Sequence, residues 1–352
     1  MIQDQRLPQQ EATATLPRLQ RSAVPWANPN RLVIGIVVVL AVLLPWVTLR
    51  LAGGRFITHL IITFFVWGIV TQCWNLIMGV SGIYSFGQMA LYAVGGWTTG
   101  TLALHFGWNP LVSIWLAPVA AAVAALIIGL PTLRLRGVYV VLMTLAFHEL
   151  LRNYVVNGPT IISGGGYGLR DVPKLGFERF GVGWEILLYY YFGLMLFGIA
   201  TYAIWRILHS PIGMAFRALR DSEEYAVSRG VDRFRFKLLL FAFSAFFTGL
   251  AGGFMTHYQG AASPSLLSFG IMINLLAMIV LGGWGTFWGP IVGTAILTIL
   301  PEVLRSAEAY RNLTLGITLA LVAVLAPRGL VPLLSQAVRN LGQRLRKRDA
   351  SR

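Results

Sequence analysis

Two long stretches of this chain, Phe56–Leu133 and Leu238–Pro301, contain no Lys, Arg, Asp or Glu. A helix crosses a hydrocarbon core of roughly 30 Å with about 20 residues, so each stretch is long enough for about three crossings. Both stretches are apolar on all sides instead of alternating between apolar and polar residues. That pattern favours membrane helices over an outer-membrane barrel.

Charged residues are scarce throughout the chain. Of the 352 residues, 56% are hydrophobic and 12% are charged, about half the charged share of ordinary globular proteins. So few charges cannot cover the surface of a soluble globule, and the single cysteine excludes a disulfide scaffold. We therefore expect an all-α membrane protein, a polytopic bundle of about ten transmembrane helices with glycine-broken helices in its two halves.

The hydrophobic pattern predicts where these helices lie along the chain. An even number of spans would place both termini on the same side of the membrane. The predicted spans are Leu32–Leu49, Phe56–Gly79, Ser85–Leu104, Pro110–Leu130, Val138–Val156, Glu185–Leu208, Phe236–Tyr258, Phe269–Leu281, Trp288–Leu304 and Leu313–Ala326.

The basic residues predict the orientation. The formal net charge is +15, and the positive charges cluster in both tails and in the loops at 134–136 and 206–237. Cytoplasmic segments carry an excess of Lys and Arg, so we expect these segments and both termini to face the cytoplasm of a plasma (inner) membrane. Arg50 and Arg55 would lie outside, against the rule. We interpret the net positive charge as basic clusters that anchor these segments beside membrane lipid, and not as a surface for binding nucleic acid.

This orientation divides the chain into three parts. Residues 1–31 form a mobile cytoplasmic tail, residues 32–327 the transmembrane domain with its cytoplasmic loop at 209–235, and residues 328–352 a basic cytoplasmic tail. No small-residue cleavage site follows the first apolar run, which we therefore interpret as a retained anchor.

Motifs for catalysis are absent from the sequence. No lysine stands in a glycine-rich phosphate-binding loop, and no Gly-x-Ser-x-Gly elbow occurs. The five histidines and one cysteine have no metal-ligand spacing. We expect a protein that is not an enzyme and that binds no metal or cofactor of its own.

The loop at 209–235 contains a predicted helix. No Gly or Pro occurs from Met214 to Arg229, which corresponds to about four turns, and Gly230 stands at a typical C-terminal cap position. Mixed charges suit this helix for docking into a partner's groove; the alternative is a helix lying on the membrane surface. Its candidate contact residues are Arg217, Arg220, Asp221, Glu223, Glu224 and Gly230.

Two glycine-interrupted segments, Gly79–Gly96 and Leu281–Gly293, lie one in each half of the chain. Backbone that leaves a helix at membrane depth must line a cavity or be buried in protein, and paired broken segments are typical of a transport pathway. Close helix packing through small residues is a second, compatible explanation. The candidate path residues are Ser85, Gln88, Gly282, Gly283 and Thr286.

Glu149 and Arg152 lie within the predicted fifth span. Their spacing of three places them on one helix face, where they can form an ion pair. Ionisable groups inside a membrane indicate function by default. The pair is either a self-neutralising structural feature or part of a proton relay, although no other residue in the spans supplies the next carrier.

Several blocks of the sequence resemble the permease subunits of ATP-binding-cassette importers for branched-chain amino acids, specifically the larger of the two paired types. Together they cover roughly residues 56–330 in matching order. Two positions depart from the family pattern: His148 replaces a small or apolar residue, and Gly166 replaces a commoner proline. The matching blocks are Asn75–Gly79 with Ser85–Gln88, Leu133–Gly137 with Thr144–Glu149 and Arg152, Ser163–Leu169, Gly213–Gly230, and Val280–Pro290 with Leu300–Glu302.

The resemblance implies a set of partners. A second permease subunit would complete a heterodimer, two ATP-binding subunits would use ATP and Mg²⁺, and a soluble extracytoplasmic protein would deliver the solute. The loop at 213–230 would engage the ATP-binding subunits. Permeases for urea and short amides share most of the pattern, so such solutes remain an alternative, and a self-contained secondary carrier is the competing class.

Overall fold

The computed structural model describes residues 31–48, 53–135, 137–303, 316 and 329–333. Residues 1–30, nearly all of the predicted last span and most of the C-terminal tail lie outside this description. The chain forms two compact units, residues 1–39 and 40–352. The described part of the first unit is the beginning of helix α1.

The described residues are predominantly helical, as predicted, and they contain an isolated bridge between Leu169 and Ala262 but no strand. A π-helical turn at Leu76–Val80 continues α2. The helices are α1 (Arg31–Thr48), α2 (Gly54–Asn75), α3 (Gln88–His105), α4 (Pro110–Ser113), α5 (Leu116–Thr132), α6 (Val138–Asn157), α7 (Thr160–Ser163), α8 (Val182–Leu208), α9 (Pro211–Asp221), α10 (Glu223–Ser228), α11 (Arg233–Gln259), α12 (Phe269–Gly282) and α13 (Gly289–Val303).

Within the described ranges, 4 helical segments are long and apolar enough to cross a membrane: Gly54–Val80, Pro110–Thr132, Gly183–Leu208 and Arg233–Gln259. Two further apolar helices, α12 and α13, are shorter. The chain is therefore a multi-pass membrane protein. The count of about ten spans stays a prediction.

Two predicted spans differ from the observed helices. Helix α3 begins at Gln88 and not at Ser85, because the backbone before it is irregular. The predicted fourth span is interrupted between α4 and α5. Pro118 has no N–H to donate to the carbonyl of Ile114, so a continuous helix would lose a hydrogen bond at this point.

Helix α11 lies at the centre of the described bundle, packed against α3 and α5. Glycines let the helices approach closely. A Cβ atom at Gly95 of α3 would lie 2.2 Å from the carbonyl oxygen of Gly249, and one at Gly252 would lie 2.1 Å from the carbonyl oxygen of Tyr92. Small residues at membrane-helix interfaces permit such backbone contact, so these positions require glycine.

The loop at 209–235 contains two helices, α9 and α10, and the prediction of one continuous helix over Met214–Arg229 is wrong. Ser222 is extended, and its side chain accepts a hydrogen bond from the amide of Tyr225, which makes it the N-cap of α10. Serine is a preferred N-cap, and acidic residues in the first turn favour a helix start. Gly230 adopts φ +86° just beyond α10, as predicted for a C-terminal cap.

Candidate translocation and coupling site

Both glycine-interrupted segments leave helical geometry, as predicted. The backbone is irregular between the π-helical turn and α3, and again between α12 and α13; we call residues 81–87 and 283–288 the first and second break. Gly82 and Gly285 adopt φ values of +71° and +70° within them. A side chain is strained in this region, so glycine is needed at these turns.

Asn75, at the end of α2, joins α2 to the second break. Its Nδ2 donates to the carbonyl oxygen of Thr286 at 2.9 Å, and its Oδ1 accepts from the amide of Gly285 at 2.9 Å. The side chain is buried. A Cβ atom at Gly79 would lie 2.6 Å from the Gly285 nitrogen, so the two halves of the chain meet here through backbone and one amide side chain.

Arg220 of α9 reaches the same place from the loop at 209–235. Its Nη1 donates to the carbonyl oxygen of Gly79 at 3.1 Å. A Cβ atom at Gly82 would lie 2.7 Å from the Arg220 Cγ, and one at Gly285 would lie 3.8 Å from its Nη1. Asp221 pairs with the guanidinium at 2.9 Å. One side chain therefore connects the loop to both breaks.

Arg217 contacts the end of α8. Its guanidinium donates to the carbonyl oxygen of Gly213 at 3.2 Å and to that of Leu208. Burial, and next the positive charge of Arg220, lower the pKa of Arg217 from its ordinary value. These bonds fix the junction of α8 and α9, so Arg217 holds the position of the loop.

Glu223, like Arg217, bonds within this chain and holds part of the loop in place. Its carboxylate accepts from Arg233 at 3.1 Å and from Lys237 at 2.8 Å. Burial raises the pKa of Glu223, but the hydrogen bonds and charges of Lys237 and Arg233 outweigh this effect, and the net pKa is lowered. Glu224 and Gly230 are exposed. The part of the loop open to a partner therefore includes Glu224 and Gly230, while Glu223 fastens α10 to α11; the coupling role of all these residues stays a prediction.

Ser85 and Gln88 lie in the protein interior. The Nε1 of Trp74 donates to the carbonyl oxygen of Ser85 at 2.7 Å, and Ser85 lines a small, mostly apolar cavity. The Nε2 of Gln88 donates to Ser244 at 3.0 Å and to Thr248. These hydrogen bonds join the first break and α3 to α2 and α11.

Gly282, Gly283 and Thr286 shape the second break. A Cβ atom at Gly282 would lie 1.8 Å from the carbonyl oxygen of Gly289, and Gly283 adopts φ +129°. The Thr286 hydroxyl donates to the Gly283 carbonyl at 2.7 Å and accepts from the Gly289 amide at 3.0 Å. Close packing thus explains these residues, and their place along a solute path stays a prediction.

Glu149 and Arg152 form an ion pair of 2.7 Å on α6, with 51% and 46% of their side chains exposed. His148 points the other way: it is buried, and its Nε2 lies 3.0 Å from the carbonyl oxygen of Leu267. The structure thus separates the ion pair from the other candidates, which lie near the two breaks and the loop.

Sequence reasoning did not select Asn75 as a site residue. The signal was its amide side chain, which lies in the charge-free stretch Phe56–Leu133, four residues before Gly79. A buried amide with no helical neighbour to satisfy it must bond elsewhere, and the second break supplies both partners.

Comparison with known families places these features in context. The family described as branched-chain amino acid transport system / permease component matches residues 56–325, a range that includes both breaks, the loop helices and α6. The chain belongs to this family. The resemblance in the sequence blocks is therefore confirmed, and it extends over most of the described bundle.

Members of the family from several organisms are similar to this chain. The LivM permease proteins of the high-affinity branched-chain amino acid transport systems of Salmonella typhimurium and Escherichia coli are 33% and 32% identical over 281 residues, which is 74% of this chain. The chain spans 66% of the length of these two relatives. A probable LivM permease of Methanocaldococcus jannaschii is 24% identical over 78% of the chain and 93% of its own length. No solved structure matches.

Proposed function

We propose that the chain is the membrane-spanning permease subunit of an ATP-binding-cassette importer that translocates branched-chain and other hydrophobic amino acids. A second permease subunit forms a heterodimer with it, two ATP-binding subunits use ATP and Mg²⁺, and an extracytoplasmic binding protein delivers the solute. The complex lies in the inner membrane with both termini of this chain in the cytoplasm. The chain contributes a path and a mechanical link and catalyses no reaction itself.

The contact of Arg220 with the two breaks carries this proposal. Family membership supports a transport subunit, and the geometry supports how such a subunit is driven. Movement of α9 by a partner would act on the carbonyl of Gly79 through one charged hydrogen bond. Because Gly79 contacts Gly285 directly, the same movement reaches the other half of the chain without an intervening side chain.

The first test is the composition and activity of the native complex. We would purify the chain from its membrane in mild detergent, identify the proteins that accompany it, and reconstitute the complex in vesicles. We expect a second permease, two ATP-binding subunits and ATP-driven uptake of radiolabelled leucine. Uptake of urea or acetamide instead of leucine would favour the amide alternative. Uptake that collapses with the membrane potential at constant ATP would favour a secondary carrier.

The link itself is tested by Arg220→Met. Losing a hydrogen bond from a charged group costs about 1.5–3 kcal/mol, so we expect leucine uptake to fall roughly tenfold or more while the complex stays assembled. Arg229→Met is the matched control, because its guanidinium bonds within the loop to Tyr225 at 2.9 Å. Normal uptake by Arg220→Met would contradict the proposed link.

A further inference from the structure

Helix α6 corresponds to the predicted fifth span, and its outward face carries charge where a membrane helix should be apolar. The buried positions of α6 are Val140, Thr144, His148 and Val155, and they form the face that packs on the bundle. Glu149 and Arg152 lie on the other side, with about half of each side chain exposed.

The pair lies deep along the helix. Glu149 stands about 17 Å from the first residue of α6 at a rise of about 1.5 Å per residue. Charged residues in spans face a water-filled cavity or protein, because hydrocarbon cannot solvate them. Two exposed amides, Asn153 and Asn157, extend the polar stripe, and Asn153 donates to the Glu149 carbonyl at 3.1 Å. This stripe therefore faces water or a partner subunit instead of hydrocarbon.

We propose that Glu149 and Arg152 form a transient binding site for the zwitterionic head group of an amino acid in transit. The inference rests on the proposed transport function and adds the site that recognises the substrate class. An α-amino acid carries one ammonium and one carboxylate. The Glu149 carboxylate accepts hydrogen bonds from the ammonium, and the planar guanidinium of Arg152 binds the carboxylate with two parallel donors.

The paired geometry suits a site that must release its ligand. Without substrate the two side chains neutralise each other at 2.7 Å, so the empty site leaves no uncompensated charge. With substrate each side chain exchanges one charged partner for another, so the single Glu149–Arg152 pair is replaced by two pairs with the zwitterion. Ala146 and Leu142 are exposed one and two turns before Glu149 on the same face, where they offer apolar contact to a hydrophobic side chain.

The test uses the whole importer in vesicles and the double variant Glu149→Leu/Arg152→Leu. Replacing a purely structural ion pair with apolar residues is often neutral or stabilising, so a structural role predicts normal transport. Our proposal predicts an assembled complex whose ATP hydrolysis still responds to the loaded binding protein, but whose leucine uptake per ATP falls roughly tenfold or more. Leu150→Ala, at an exposed neighbour in α6, controls for general damage to the helix and should keep normal uptake.

Each outcome decides the question. Loss of uptake per ATP in the double variant, and in Glu149→Gln and Arg152→Gln singly, supports the site. Uptake within twofold of wild type, on the order of 0.4 kcal/mol, would overturn it and leave the importer function intact. Failure of the double variant to assemble would also overturn it, because the pair would then belong to a subunit interface. Absence of ATP-driven leucine uptake by the wild type would overturn the transport function first and the site with it.

Discussion

Replacing Asn75 with Ala is expected to loosen the contact between α2 and the second break. The change removes two hydrogen bonds of 2.9 Å, one to the amide of Gly285 and one to the carbonyl of Thr286. Each buried polar group left unsatisfied costs about 1–3 kcal/mol. Hydrogen bonds between membrane helices average only about 0.6 kcal/mol, because the unfolded chain in a membrane finds other partners.

For Asn75 we expect the cost of unsatisfied buried groups, about 1–3 kcal/mol each, and not the smaller average for hydrogen bonds between membrane helices. The released backbone groups lie in irregular backbone, where no helical hydrogen bond can replace the lost one. The free energy of unfolding should therefore fall by about 2–6 kcal/mol, the combined cost of the two released backbone groups. The measurement is unfolding of the purified protein in mixed micelles titrated with SDS, followed by tryptophan fluorescence.

Asn153→Ala is the matched control, since it removes an exposed amide that bonds within its own helix. Its unfolding free energy should stay within about 0.5 kcal/mol of wild type. If Asn75→Ala unfolds with a free energy equally close to wild type, the reasoning that this amide holds the second break against α2 is refuted.

Two further predictions concern the packing of the bundle and the loop at 209–235. Gly95→Ala should lower the free energy of unfolding by about 1–3 kcal/mol, because the added Cβ would lie 2.2 Å from the carbonyl oxygen of Gly249. Gly198→Ala is the control, since a Cβ atom there would have no neighbour within 4 Å. Its free energy of unfolding should not fall in the same SDS titration. Glu223→Gln should speed hydrogen exchange of α10 at neutral pH. The folded pKa of Glu223 is lowered, so its stabilisation is present above the ordinary glutamate pKa and is lost as pH falls through the folded value. Exchange rates of variant and wild type should therefore converge in acid, and equal rates at neutral pH would contradict the role of this ion pair.

The fold class could be predicted from sequence because charge is excluded from hydrocarbon over whole spans, a signal that needs no tertiary information. The breaks could also be predicted, since Gly82 and Gly285 adopt backbone conformations that glycine favours. The interruption of the loop helix was not predicted, although Ser222 followed by Glu223 and Glu224 is a typical helix start. Serine is also compatible with a helix interior, so this local signal competes with the absence of Gly and Pro from Met214 to Arg229.

The contacts at the candidate site could not be predicted from the sequence, because they join residues that are far apart in the chain. Arg220 and Gly79 are 141 positions apart, and Asn75 and Thr286 are 211 apart. No local pattern encodes such pairs, so the contact between the two breaks could not be predicted, and the role of the selected residues in them stays a prediction. The pairing of Glu149 with Arg152 could be predicted because a spacing of three is local.

The polar side chains of the spans separate by what they bond to. Asn75 and Gln88 are buried, and their amides bond to backbone of the second break and to hydroxyl groups of α11. A solute that used them would therefore break the bundle's own hydrogen bonds in every cycle. Glu149 and Arg152 bond to each other and are half exposed, so a solute that used them would break only their mutual ion pair and would replace it with its own charges. We therefore expect the breaks to act in movement of the bundle, driven through Arg220, and the solute to pass along the outward face of α6.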